Sequence, residues 1–180
     1  MDGFAVELGF GQKAEAKLNK IGVAIANAGL HSEFVHDENK PHITLATVHS
    51  KSDPEKIREV TAEFARTLAP FNITFHSVAQ FATSQNAIYL APLLSDNMLN
   101  MYQRFHDSLT AAGLETGFYY RRGTWTPHTT ITMKGPSQDI GPTVQIVRKA
   151  PIFNIPLVIS TLKVVWYAPF KLIEQFPLSD

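Results

Sequence analysis

Two short segments hold the residues of this 180-residue chain that are best suited to chemistry: Pro41-His42-Ile43-Thr44-Leu45 and Pro127-His128-Thr129-Thr130-Ile131. An imidazole has an ordinary pKa of about 6.5, so one of a pair can be neutral and take a proton while the other is charged and gives one. Phosphoester cleavage requires both acts. The threonine two positions on adds a hydroxyl that can hold a phosphate oxygen without adding negative charge, and preorganised donors of this kind favour a charge-rich transition state. Strand alternation puts His42 and Thr44 on one face and Ile43 and Leu45 on the other. The second segment does the same, with His128, Thr130 and Thr132 on one face and Thr129, Ile131 and Met133 opposite. One Pro-His-x-Thr is readily a chance match, its histidine a half-buried strand residue. Two copies at matching places in a repeated order of elements point to function.

The hydrophobic pattern predicts those elements. Residues 4–10 are rich in strand formers and stop at Gly11, which reads as a mostly buried strand. Ala14, Leu18, Ile21, Ile25 and Ala28 recur at helical spacing with charged residues between them, and Gly29 ends the helix. A polar loop over 31–40 leads to the first histidine strand, 41–48. Ser52, Asp53, Pro54 and Glu55 supply a cap, a first-turn proline and an acidic first turn. The helix they open buries Ile57, Val60, Phe64 and Leu68 and ends at Pro70. Strands are expected over 71–81 and 87–91, then a third helix with Leu94, Met98, Met101, Phe105 and Leu109 inward. A Gly- and aromatic-rich loop to Thr126 precedes the second histidine strand, 127–133. A short helix over 144–149 and β-structure over 152–173, broken at Pro156 and Pro169, complete the chain. Each half therefore reads strand, helix, loop, histidine strand, helix, strand. His42 lies 38 residues after Phe4, and His128 lies 41 after Ala87. Nothing marks a linker, so one domain over 1–180 with two facing lobes is expected.

Composition excludes several classes of function. A chain of 20.0 kDa that is 44% hydrophobic and 18% charged is too apolar for disorder, and it should bury roughly 70% of its unfolded surface. The absence of Cys removes disulfides, iron–sulfur clusters, thiolate zinc sites and a cysteine nucleophile. With Lys+Arg 16 against Asp+Glu 16, no whole-molecule field attracts a long polyanion, so a nucleic-acid substrate must be gripped locally in a cleft. No run reaches the roughly 18 apolar residues of a membrane span, and Met1 to Glu7 has neither the basic end nor the apolar core of a signal. A cytoplasmic monomer with no membrane partner is expected.

Other candidates read more plainly. His31, His36, His42 and His49 crowd one stretch with Asp37 and Glu38 near, as in a metal site, but two lie in a polar loop. In an unbroken strand His42 and His49, seven apart, would face opposite ways. No metal and no cofactor is expected. His76 reads as a polar strand residue and His106 as a helix-flank residue. Tyr119, Tyr120, Arg121, Arg122 and Trp125, just before the second histidine strand, could stack a base and clamp phosphate, and Lys134 lies just beyond that strand. A solvated loop is the alternative reading. Phe10 and Phe81 read as core residues, with cleft lining as the alternative.

The paired segments resemble the His-hydrophobic-Thr/Ser-hydrophobic motifs of the two-histidine (2H) phosphoesterase superfamily, which includes the bacterial 2'-5' RNA ligase and 2',3'-cyclic nucleotide phosphodiesterase group. The opening Phe4-Ala5-Val6-Glu7-Leu8 strand and the order of elements are also similar to it, so the resemblance spans essentially the whole chain. Thr129 departs from the pattern at a usually apolar position, on the side away from the cleft. The resemblance implies a bilobal α+β fold with pseudo-two-fold symmetry, two antiparallel-rich sheets flanking a cleft and helices outside. It implies metal-independent cleavage of a 2',3'-cyclic phosphate or 2'-5' phosphodiester of a nucleotide or RNA end, with the reverse joining of RNA ends in some members. His42 and His128 then become the acid–base pair, and Thr44 and Thr130 hold the phosphate. Which histidine is the base stays open. The rival reading is a non-catalytic RNA- or nucleotide-binding module that keeps the cleft; retention of both His and both Thr favours the enzyme.

Overall fold

The apolar periodicities become two sheets with helices packed against them. A computed structural model describes residues 3–35 and 39–179. Along the chain lie β1 (Gly3–Phe10), α1 (Gln12–Asn27), β2 (His42–His49), α2 (Pro54–Ala65), β3 (Phe71–Ile73), β4 (Phe75–Gln80), β5 (Ile88–Pro92), α3 (Asp96–Ala111), β6 (Thr129–Thr132), α4 (Ile140–Arg148), β7 (Leu157–Tyr167) and β8 (Phe170–Pro177). Short 3-10 turns occur at Glu33–Val35, Phe118–Tyr120 and Ser137–Asp139. One sheet runs β2-β1-β7-β3 with β8 also paired to β7, and the other runs β4-β5-β6. Every pairing is antiparallel.

The expected repeat is present as β1-α1-β2-α2-β3 and β5-α3-β6-α4-β7. Strands cross between the halves: β4, which follows β3 in the first half, pairs with β5, whereas β7, from the second half, pairs with β1. The strand expected over 71–81 is therefore two, since the chain leaves one sheet for the other at Thr74. α4 starts earlier than its apolar spacing suggests. Pro142 stands in its first turn, where a missing N–H breaks no helical bond.

Val6 and Leu8 of β1, Leu18 and Ile25 of α1, Ile43 and Leu45 of β2, Ile57 of α2 and Ile131 of β6 are fully buried in one continuous apolar cluster. Burying such a side chain contributes about 1.5–3 kcal/mol, so both histidine segments are anchored from beneath. The cap predicted for α2 is made, and α3 has one as well. The Asp53 carboxylate accepts from the Glu55 N–H at 3.0 Å, with Pro54 opening α2, and the Ser95 hydroxyl accepts from the Met98 N–H at 3.2 Å to start α3. Among the described residues no helix is long and apolar enough to cross a membrane.

One local feature departs from simple alternation. Val6 pairs with Ala46 but Glu7 pairs with Thr44, which leaves Leu45 as an extra residue in β2. Leu45 and Ala46 are both buried, and the bulge reverses the phase of the strand. His42, Thr44, Thr47 and His49 consequently oppose Gly9, Glu7, Ala5 and Gly3, alternate residues on one face of β1. The expectation that His42 and His49 face opposite ways fails for this reason, although His49 lies at the far end of the strand.

Candidate active site

His42 opens β2 directly after the buried Pro41, and His128 directly precedes β6. Both rings are held alike. Nδ1 of His42 donates to the Lys40 carbonyl at 2.8 Å, and Nδ1 of His128 donates to the Thr126 carbonyl at 2.7 Å. A carbonyl can only accept, so each bond keeps a proton on Nδ1 and leaves Nε2 as the working nitrogen. His42 and Thr130, which come from different sheets, line one cavity of about 110 Å³ with Phe34, Pro41 and Met133. The His42 charge reaches His128 across the gap and lowers its pKa. Thr44, next on the same face of β2, is hydrogen-bonded to the Tyr120 phenol.

The two imidazoles differ in their surroundings. His128 lies edge-on to Phe81 at 4.9 Å and to Tyr89 at 5.3 Å, and those two rings stack on each other at 4.2 Å. Burial pushes the His128 pKa below the ordinary histidine range against the opposing bond to Thr126, and repulsion by His42 lowers it further. This ring is kept neutral. Nε2 of His42 instead lies 3.4 Å from Oε1 of Glu7, whose side chain is 6% exposed. Burial raises the Glu7 carboxyl above its usual range, while His42 and Lys163 pull it back.

Of the flanking residues, Tyr120 enters the site, and burial raises its pKa so that it stays a neutral phenol. Trp125 stacks on Tyr102 at 4.0 Å and donates Nε1 to the Thr44 carbonyl at 3.0 Å, so it fastens β2. Tyr102, its pKa pushed up to about 12 by burial, donates to the Tyr120 carbonyl at 2.8 Å. Arg121 Nε donates to the Thr116 carbonyl at 3.0 Å. Arg122 is engaged by α3, through the Gln103 carbonyl at 2.6 Å and Asp107 at 2.5 Å. Tyr119 is 77% exposed beside Phe118, and Lys134 is exposed at a positive φ of 63°.

Phe10 belongs to the core, whereas Phe81 is half-buried against His128. His76 is exposed, as expected of a polar strand residue. His106 is no flank residue: it is buried, with Nε2 3.2 Å from the Leu45 carbonyl. Among the described residues no three His, Cys, Asp or Glu gather as a metal-binding group; His36, Asp37 and Glu38 lie outside the described residues. Thr129 is buried away from the cleft, its hydroxyl without a hydrogen-bond partner. Sequence reasoning misses Glu7 and Tyr89. Glu7 carries a signal, being the lone acid in an otherwise apolar strand; Tyr89 looks like any strand aromatic.

Solved structures share this architecture. TT0787 of Thermus thermophilus matches with a TM-score of 0.67 at 14% identity, covering 99% of this chain and 98% of that one. E. coli LigT complexed with 3'-AMP matches at 0.62 and 10% identity, covering 99% of each chain. Kluyveromyces marxianus Usb1 with uridine monophosphate matches at 0.53 and 12% identity, covering 98% of each. No curated protein matches in sequence. At these identities the likeness shows a shared fold. The family model described as the 2'-5' RNA ligase superfamily matches residues 21–169, a span containing both histidine segments, and the chain belongs to that superfamily.

Proposed function

We propose that this protein is a phosphoesterase that opens a 2',3'-cyclic phosphate or a 2'-5' phosphodiester of a nucleotide or RNA end without a metal ion, with His128 as general base and His42 as general acid. The observation that carries the reading is the matched pair of Nδ1–carbonyl bonds, which makes Nε2 the nitrogen each histidine has for proton transfer. Unequal surroundings divide the work. Neutral His128 takes a proton from the attacking water, the new P–O bond forms, and the bond from phosphorus to one ribose oxygen breaks. His42, beside the Glu7 carboxylate, gives that oxygen its proton. Thr44 and Thr130 donate to the non-bridging oxygens as charge builds on them. The nucleotides complexed with the E. coli and Kluyveromyces proteins support a nucleotide as the substrate class. RNA-end joining is the same proton transfer run backwards.

The test is turnover of 2',3'-cyclic AMP, and of an oligoribonucleotide ending in a cyclic phosphate, in buffer containing EDTA. Opening to a monophosphate is expected. Protein that is inactive on both, or active only after Mn²⁺ or Zn²⁺ is restored, would contradict the reading, and binding without turnover would establish the non-catalytic module instead.

A further inference from the structure

We infer that Lys163 and the cavity it lines form a second anion site beside the histidine pair, one that takes the singly charged phosphodiester linking the reacting nucleotide to its neighbour. The inference rests on reading the His42–His128 cleft as a site for a nucleotide phosphate. Lys163 lies on β7, opposite Glu7 on one side and Gln175 on the other. It is 9% exposed, and the charges of Glu7 and Glu15 act on its ammonium. Lys163 lines a cavity of about 750 Å³ together with Lys40, Lys171, Glu7, Glu15 and Phe170. Burial pushes its pKa below the usual lysine range while the carboxylates of Glu7 and Glu15 resist, so an arriving anion would restore a charge that burial disfavours.

The cavity and the histidine cleft share Lys40 as a wall. Glu7 lines the cavity and contacts His42, and Lys40 supplies the carbonyl that orients His42. Gly9 lets Thr161 and Lys163 close in over β1 beside His42. It stands between His42 and Thr161 in register, and a Cβ there would come within 2.8 Å of Lys163 Cε and strike the Thr161 hydroxyl, a buried group without a partner. Two strand spacings, about 10 Å, separate β2 from β7, so a ligand that reaches both sites must be longer than one phosphate group. Charge limits what fits. Three lysines face two glutamates, one of which, Glu15, already pairs with Lys40 at 3.2 Å. The single excess positive charge suits a diester, and a dianionic terminal phosphate would meet the carboxylates. Phe170 offers a ring against which the neighbouring base can stack.

The test compares binding of three cleavage-inert ligands by calorimetry: adenosine 2'-monophosphate, adenosine 2',5'-bisphosphate and adenylyl-adenosine ending in a 2'-monophosphate. The wild type should bind the dinucleotide about 10-fold tighter than either mononucleotide, Lys163→Met should bring that ratio near one, and Lys163→Arg should keep it. The logarithmic salt dependence of dinucleotide binding should flatten by about 0.7 in Lys163→Met, the loss of one phosphate contact. Should Lys163→Met not fold, Lys171→Ala on the exposed rim should lower the ratio about threefold. Equal affinities in the wild type, a preference that survives Lys163→Met, or a bisphosphate that binds as well as the dinucleotide would each overturn the inference. Turnover separates this from the function proposed above: opening of cyclic AMP without a dinucleotide preference removes only the second site, and the preference without turnover removes only the catalytic reading.

Discussion

At the scale of single residues, the proposed reaction depends on atoms that reach a phosphate. Thr44 and Thr130 each offer one hydroxyl, so Thr44→Ala and Thr130→Ala should lower kcat by about 10- to 10³-fold, the range for one transition-state hydrogen bond. The fold should survive, because the apolar floor of Ile43, Leu45 and Ile131 is untouched. Steady-state turnover of 2',3'-cyclic AMP with circular dichroism measures both, and a folded Thr variant with wild-type turnover would remove that hydroxyl from the site. The pH profile follows from the same environments. As the proposed base His128 must be neutral, and its pKa is lowered, so its limb of kcat/KM should begin to fall only below about 6.5, the ordinary histidine value. Replacing Phe81 by Ser rehydrates the ring; the lowered pKa should then rise toward its ordinary value and move that limb to higher pH. An unshifted limb in Phe81→Ser would separate the limb from His128.

At the scale of elements, legibility follows periodicity. The Pro-His strands, α1, α2 and α3 are readable because apolar spacing, caps and breakers agree, and the partner bonds that orient the histidines come from residues only two positions away. What the sequence hides depends on pairing across the chain. The bulge at Leu45 is set by β1, and it alone brings His49 to the face of His42. Glu7 and Lys163 are lone charges in apolar strands; each is visible, but their meeting needs the β1–β7 register. Trp125 looks like a stacking platform, yet its indole nitrogen is committed to the Thr44 carbonyl. Thr129 is the element-scale exception, a strand hydroxyl buried without a partner. Thr129→Val keeps the shape and removes the unsatisfied group, so stability should rise by about 1 kcal/mol. Urea unfolding measures it, and a loss of stability of that size would mean the hydroxyl is bonded in solution.

At the scale of the whole molecule, the exchange of β4 and β7 ties the sheets together, and the proposed catalytic pair depends on that tie because each histidine belongs to a different sheet. Neither sheet alone supplies both members of the proposed pair. The pair should therefore behave as one unit across the cleft. The most direct measurement is a double-mutant cycle on kcat for a 2',3'-cyclic nucleotide, using His42→Ala, His128→Ala and the double variant, each confirmed folded. Each single change should cost about 10²–10⁴ in kcat, and the double change should cost far less than the product of the two losses, because removing either proton carrier already disables the concerted step. Near-wild-type turnover in either folded single variant, or losses that simply multiply, would contradict the paired acid–base account.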